Sequence, residues 1–190
     1  MKHEGEWLLG ALGAAGAYLL AIMPERKHRA ERMKGIFYAH RGLHDLEAGV
    51  PENSMAAFAA AVEKGYGIEL DVQLTKDQIP VVFHDFTLKR VCSVEGRVKD
   101  YTFEELQQFS IEGTNQRIPK FADVLRLVNG AVPLLIELKC PDLGCEICRL
   151  ADRELQGYHG SYTIESFSPM ALLWYRRPRP EIPRGQLAMN

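Results

Sequence analysis

The chain has 190 residues, 46% of them hydrophobic and 25% charged, with a formal net charge of −2, the balance of an ordinary globular protein and not of a disordered or fibrous one. That balance excludes the broad basic surface that nucleic-acid binding calls for. Four cysteines, Cys92, Cys140, Cys145 and Cys148, are too few to form a disulfide framework in a chain this long.

The first 34 residues differ from the rest. Positions 7–23 are 17 uncharged, mostly apolar residues, at the short end of the ~17–25 that span a bilayer as a helix. The run has no polar face, which argues against a buried amphipathic helix. The leading Met-Lys-His-Glu-Gly-Glu is not clearly basic and no small-residue cleavage site follows, which argues against a cleaved signal peptide. A transmembrane anchor within residues 1–34 is therefore expected. After it, Arg26, Lys27, Arg29, Arg32 and Lys34 outnumber Glu25 and Glu31. The positive-inside tendency then predicts a single-pass membrane protein whose globular part, residues 35–190, lies on the cytoplasmic side. Free cysteines fit that compartment, and the basic stretch could also touch anionic headgroups. Gly10, Gly13, Ala14, Gly16 and Ala17 would permit close helix pairing in the anchor.

From residue 35 strands and helices alternate. A strand at 36–39 precedes a helix over 55–64, with Ser54 as N-cap and Gly65 closing it. Strands at 67–74 and 79–83 flank a polar turn at 75–78. A looser region, 85–101, leads to Thr102 and Glu105, a capping box opening a helix to about 109. A helix over 121–129 ends at Gly130. The pattern continues with a strand at 132–138, a helix at 145–156, a strand at 162–167, a helix at 168–177 opened by Ser168, and a last strand at 186–189. Such alternation predicts parallel βαβ units.

The charged residues at strand ends carry the chemistry. Side chains two apart on a strand face one way, so Glu69 with Asp71, and Glu137 with Lys139, each present two polar groups to one side. His40, Arg41, His84 and Asp85 follow other strands, at the ends where a parallel barrel gathers its functional groups. The set suits metal-assisted phosphoester cleavage: carboxylates for a hard cation, cations for phosphate oxygens, and histidines to exchange protons near neutral pH.

At Tyr38-Ala-His-Arg-Gly-Leu-His-Asp45, Pro51-Glu-Asn-Ser54, Glu69-Leu-Asp-Val72, Val81-Val-Phe-His-Asp85, Ile118-Pro119, Ile136-Glu-Leu-Lys139 and Ser166-Phe-Ser168 the sequence resembles the glycerophosphodiester phosphodiesterase family. The resemblance covers about residues 35–190. It implies a TIM-type (β/α)8 barrel that hydrolyses glycerophosphodiesters, as small-molecule substrates, to glycerol 3-phosphate and an alcohol with a divalent metal. Matched position by position, it implies Glu69, Asp71 and Glu137 as metal ligands, His40 and His84 as the acid–base pair, and Arg41 and Lys139 as the phosphate-binding cations. Glu52 and Asn53 lie in a family motif as supporting residues, and Asp85 could fix a histidine tautomer or cap a turn.

All-oxygen ligation points to Mg²⁺ or Ca²⁺ and not to zinc. The metal is expected to polarise the phosphate and lower the pKa of a substrate hydroxyl for attack, through a cyclic phosphate, with one histidine as base and the other as acid. The bland alternative for the three carboxylates is a set of buried ion pairs with Arg41 and Lys139. His3, His28 and His159 read as surface or structural residues, whereas His44 could line the pocket. Cys140, Cys145 and Cys148 have C-x4-C-x2-C spacing, but an iron–sulfur cluster would need a further cysteine downstream, and there is none. Trp174 and Tyr175 are expected to pack their helix on the barrel, and 176–180 to be a solvated loop.

Without the anchor about 156 residues remain, short of the ~200 or more of a complete barrel. Six strands are expected, with the last two βα units absent and apolar strand edges open. Two classes of function follow: an active phosphodiesterase, acting on glycerophosphodiesters or in a lysophospholipase D-like way and completed by a homodimer or by further chain, or an incompetent membrane-tethered binding module that keeps the motifs.

Overall fold

A computed structural model describes residues 34–141 and 144–188, together with Gly13, Gly16, Tyr18, Leu19 and Met23. The apolar run at 7–23 thus lies largely outside the described residues. Among those described, no helix is long and apolar enough to cross a membrane.

The elements are β1 (Tyr38–Ala39), α1 (Met55–Lys64), β2 (Gly67–Leu74), β3 (Pro80–Val82), α2 (Lys89–Cys92), a 3-10 turn (Val98–Asp100), α3 (Phe103–Leu106), α4 (Phe121–Val128), β4 (Leu134–Leu138), α5 (Glu146–Leu155), β5 (Tyr162–Ser166), α6 (Pro169–Arg176) and β6 (Arg184–Gln186). Strands β1, β2, β4, β5 and β6 are parallel neighbours in that order. The two edge strands, β1 and β6, each have one strand partner and no second one among the described residues.

Strand β3 corrects the expected arrangement. It pairs antiparallel with β2, Leu74 opposite Pro80 and Val72 opposite Val82, so one of the six expected barrel strands, that at 79–83, is the return arm of a hairpin. The described residues therefore contribute five parallel strands. The reason lies in the turn: Thr75 Oγ accepts the Ile79 N–H at 2.9 Å and pairs with Asp77 Oδ1 at 2.6 Å, and Gln78 takes a left-handed φ of 61°. A five-residue turn of this kind closes a hairpin, whereas a parallel crossover needs about a dozen residues or more. The last strand also moves, to Arg184–Gln186, and the 85–101 region contains α2 and the 3-10 turn.

Alternation on the strands separates two environments. Ile68, Leu70, Val72, Leu134, Ile136, Leu138 and Ile164 face outward and are buried against Phe58, Phe121, Val124, Ile147, Cys148, Ala171 and Tyr175 of the helices. Helix α1 starts where Ser54 Oγ accepts the Ala57 N–H at 3.1 Å and ends at Gly65, left-handed at φ 72°. Tyr175 is fully buried and meets Trp174 edge-on at 4.8 Å. The expected solvated loop at 176–180 is partly anchored, because Arg179 pairs with Asp152 of α5 at 2.8 Å. A second apolar cluster, Val81, Phe83, Leu88, Val91, Cys92, Val98, Leu106, Ile111 and Ile118, gives the 80–118 insertion a core of its own. The other strand face is polar, and there the site lies.

Candidate active site

The inward residues of the parallel strands are Glu69, Asp71 and Gln73 on β2, Glu137 on β4 with Lys139 just beyond it, and Thr163 and Glu165 on β5. Register aligns Asp71 with Glu137 and Glu137 with Glu165, forming one row of carboxylates across three strands. Glu69, Asp71 and Glu137 are all buried, and one oxygen of each lies within 4.8 Å of the others. Three backbone geometries bring the remaining groups to this row.

The β1–α1 loop carries His40 and Arg41. Arg41 takes a left-handed φ of 58°, a strained conformation for a residue with a side chain, and its N–H donates to Glu69 Oε2 at 2.9 Å. Gly42 follows at φ 81°, where an added Cβ would meet Ala57 Cβ at 2.8 Å, so only glycine lets the loop lie this close to α1. His40 Nε2 stands 3.9 Å from Glu69 Oε2 with the ring 70% exposed. Desolvation first, and the Arg41 guanidinium second, lower its pKa.

Residues 51–54 carry Glu52 and Asn53. Asn53, also left-handed at φ 50°, donates from Nδ2 to Asp71 Oδ2 at 2.9 Å. Glu52 accepts from Arg41 Nη1 at 3.1 Å on both oxygens. Burial pushes the Glu52 carboxyl up, but Arg90 and Arg41 outweigh it and hold it below its ordinary range.

The hairpin delivers His84. Because β3 runs back along β2, the Phe83 N–H donates to the Asp71 carbonyl at 2.9 Å. The Gln73 amide donates to the carbonyls of Phe83, His84 and Asp85 at 2.7, 3.2 and 2.8 Å. His84 therefore reaches the carboxylates at the end of an antiparallel arm, not at the end of a parallel strand as expected. Its Nδ1 lies 2.6 Å from Asp85 Oδ1, which decides the reading of Asp85 in favour of the histidine contact. A hydrogen bond from Arg90 holds the Asp85 carboxyl down at about 2. An ionised carboxylate only accepts, so Nδ1 of His84 carries the proton and Nε2 is the open acceptor.

Among the described residues the cations do not pair with every carboxylate of the row. Lys139 Nζ, 8% exposed, sits 3.0 Å from Asp71 Oδ1 and 2.8 Å from Glu137 Oε2. Arg41 Nε is 3.8 Å from Asp71 Oδ2, and its Nη1 is engaged by Glu52. Glu69 accepts the Arg41 N–H and, among the described residues, has no Lys or Arg side chain in ion-pair range. Burial and the Asp71 charge push its carboxyl up to about 8. Asp71 is raised by burial but held low overall by Lys139 and Asn53, and burial raises Glu137. Buried ion pairs thus exist, yet they leave Glu69 uncompensated. Asn53 Oδ1, buried beside the trio, has no hydrogen-bond partner, and Asp71 Oδ1 meets the Lys139 ammonium alone among the described residues. A hard, oxygen-seeking divalent cation fits this donor set.

Two site residues escaped the sequence reading. Glu165 extends the carboxylate row, and burial with the Glu137 charge pushes it up to about 7; the Ser166-Phe-Ser168 match stopped one residue short of it. Arg90 joins Glu52 to Asp85 from α2, and no local pattern marked it in a segment read as loose. His44 is exposed. Among the described residues the group whose ligand atoms converge is the carboxylate trio, and Cys140 and Cys145 pack instead against the core that holds Cys148.

A pH dependence follows. The Glu69 and Glu165 carboxyls, ordinarily near 4.5, hold their protons to about 8 and about 7 in the folded chain. Their contribution to metal-free stability is present below ~4.5 and is lost as pH rises through 7 and 8. Asp71, Glu52 and Asp85 have the opposite sign and lose theirs on acidification. The metal-free thermal midpoint is therefore expected to fall from pH 5 to pH 8. Ca²⁺ or Mg²⁺ should bind more tightly at pH 8 than at pH 6, releasing protons to the buffer. Calorimetry in two buffers of different ionisation enthalpy reads that release, and a midpoint that rises over the window contradicts the charge assignment.

Residues 40–188 match the Glycerophosphoryl diester phosphodiesterase family. Glycerophosphodiester phosphodiesterase from Caldanaerobacter subterraneus subsp. tengcongensis is 46% identical over 103 residues, covering 50% of this chain and 41% of that protein. The Bacillus altitudinis enzyme of the same name is 42% identical over 109 residues, 54% of this chain and 43% of the relative. The matched stretch is thus less than half the length of either curated relative. A solved Oleispira antarctica phosphodiesterase, in complex with the product sn-glycerol 3-phosphate, superposes with a TM-score of 0.74 at 28% identity, over 83% of this chain and 67% of that one.

Proposed function

The chain belongs to the glycerophosphoryl diester phosphodiesterase family, and from that premise we propose that it hydrolyses glycerophosphodiesters to glycerol 3-phosphate and an alcohol. One observation carries the reading: three buried carboxylates, Glu69, Asp71 and Glu137, converge while a single ammonium, Lys139, pairs with two of them and leaves Glu69 to its backbone N–H. Glu69, Asp71 and Glu137 would hold Mg²⁺ or Ca²⁺. Bound there, the ion would supply positive charge for the phosphoryl oxygens and favour deprotonation of an attacking hydroxyl.

The chain's own residues do the rest. Lys139 and Arg41 place fixed positive charge beside the phosphoryl oxygens. His84, with Nδ1 committed to Asp85, offers Nε2 to a proton of the attacking oxygen. His40, exposed on the β1–α1 loop, donates a proton to the departing alkoxide oxygen, which leaves as the alcohol. Burial of the carboxylate row lowers the local dielectric, so each of these charges acts more strongly than in water.

Residues 35–190 are proposed as the catalytic region, and 1–34 as a transmembrane anchor with its basic flank on the cytoplasmic side; the uncharged run at 7–23 supports this. The experiment is turnover of glycerophosphocholine and of a lysophospholipid, with Mg²⁺, with Ca²⁺ and with chelator. Release of glycerol 3-phosphate that stops on chelation is expected. Chelator-insensitive turnover, or none with either ion, overturns the reading, and preference for the lysophospholipid redirects it to lipid substrates.

A further inference from the structure

Arg90 belongs to none of the groups that would touch substrate or metal, yet it makes four of the site's hydrogen bonds. Its Nε donates to Asp85 Oδ2 at 2.7 Å and its Nη2 to Asp85 Oδ1 at 3.0 Å. The same guanidinium donates to Glu52, Nη2 to Oε1 at 2.6 Å and Nη1 to Oε2 at 3.3 Å. Glu52 is the carboxylate that accepts from Arg41, and Asp85 the one that holds His84. A continuous chain of charged hydrogen bonds thus runs Arg41–Glu52–Arg90–Asp85–His84, joining side chains of two loops whose backbones are each tied separately to β2.

We propose that Arg90 is a positioning residue that sets His84 and Arg41 at once. On one side it fixes Asp85 in the plane that orients the His84 ring. On the other it shares the Glu52 carboxylate, so that Glu52 does not by itself cancel the positive charge Arg41 offers to phosphate. A bidentate guanidinium suits this task, because its rigid fork meets two carboxylates in defined planes where an ammonium would meet one. The support beneath it is rigid as well: Val91 and Cys92, next to it on α2, are buried in the insertion's own core. Arg90 itself is 47% exposed, so its worth as a surface ion pair for stability is small. Four donors spent at a half-exposed position therefore make sense through geometry and not through fold stability.

The inference rests on the acid–base role proposed for His84, and the experiment separates the two. Arg90→Ala, Arg90→Lys, Asp85→Asn and the double variant R90A/D85N are compared with His84→Ala, each checked by thermal midpoint. R90A is expected to lower kcat ~10–100-fold, the usual cost of losing a group that orients a reacting one, with a midpoint close to that of the parent chain. R90K, which keeps the charge without the fork, should recover only part of the loss. R90A/D85N should lose less than the product of the two single losses, since the two variants share the His84 arm and R90A adds only the Glu52–Arg41 arm. The ¹⁵N signals of the His84 ring should change from one dominant Nδ1–H tautomer to a mixture in R90A. Parent-like kcat in R90A, losses that multiply in the double variant, or an unchanged tautomer overturn the proposal. Were H84A itself to turn over normally, the acid–base reading fails, and the tautomer measurement still decides the role of Arg90.

Discussion

Replacing His84 or His40 by alanine is expected to lower kcat for a glycerophosphodiester by ~10²–10⁴-fold, the range of a lost general acid or base, while affinity for the divalent ion changes little. The separation follows from geometry. Neither ring belongs to the converging trio of Glu69, Asp71 and Glu137. His84 is held by Asp85, and His40 Nε2 comes no nearer than 3.9 Å to Glu69. Metal affinity is read by calorimetry on chelated and reloaded protein, and turnover by release of glycerol 3-phosphate. Near-parental turnover in either variant would sink the acid–base pair. Loss of metal binding in either would mean that a ring belongs to the ligand set.

The second large effect concerns stability. Lys139 is 8% exposed, between Asp71 at 3.0 Å and Glu137 at 2.8 Å. Lys139→Met keeps the volume and removes the charge, leaving buried carboxylates facing one another. Breaking such a pair from one side costs ~3–5 kcal/mol. Metal-free K139M should therefore unfold at a clearly lower denaturant concentration at neutral pH, with an unchanged slope. Mg²⁺ or Ca²⁺ should stabilise this variant more than the parent, because a bound cation then supplies the compensation that Lys139 gave and that Arg41, 3.8 Å from Asp71, does not replace. The gap should narrow near pH 5, where the carboxyls can protonate instead. An equal midpoint for variant and parent in chelator would show that Lys139 does not balance these charges.

Much of this site could be read in the sequence because strand periodicity is strict. Glu69 with Asp71, and Glu137 with Lys139, share a face by spacing alone, and a polar pair inside an apolar strand has few structural uses. The helix over 55–64, with Ser54 and Gly65 at its ends, was equally legible, because caps are local chemistry. Segment 79–83 was recognised as a strand but not in its direction. Direction depends on which neighbour accepts its hydrogen bonds, and a short apolar strand carries no mark of that. Arg90 and Glu165 were missed for a related reason: their partners Glu52 and Glu137 lie 38 and 28 positions away along the chain.

By itself, then, the amino-acid order determined the kinds of groups available, the faces they share within one strand, and the family they resemble. The tertiary structure decided which groups meet. It turned β3 back along β2 so that His84 lies beside the carboxylates, aligned Glu165 with Glu137, and joined two loops through Arg90. Local periodicity and capping are set within a turn or a strand, whereas register, strand direction and ion-pair partners are settled only when distant segments compete for the same buried surface.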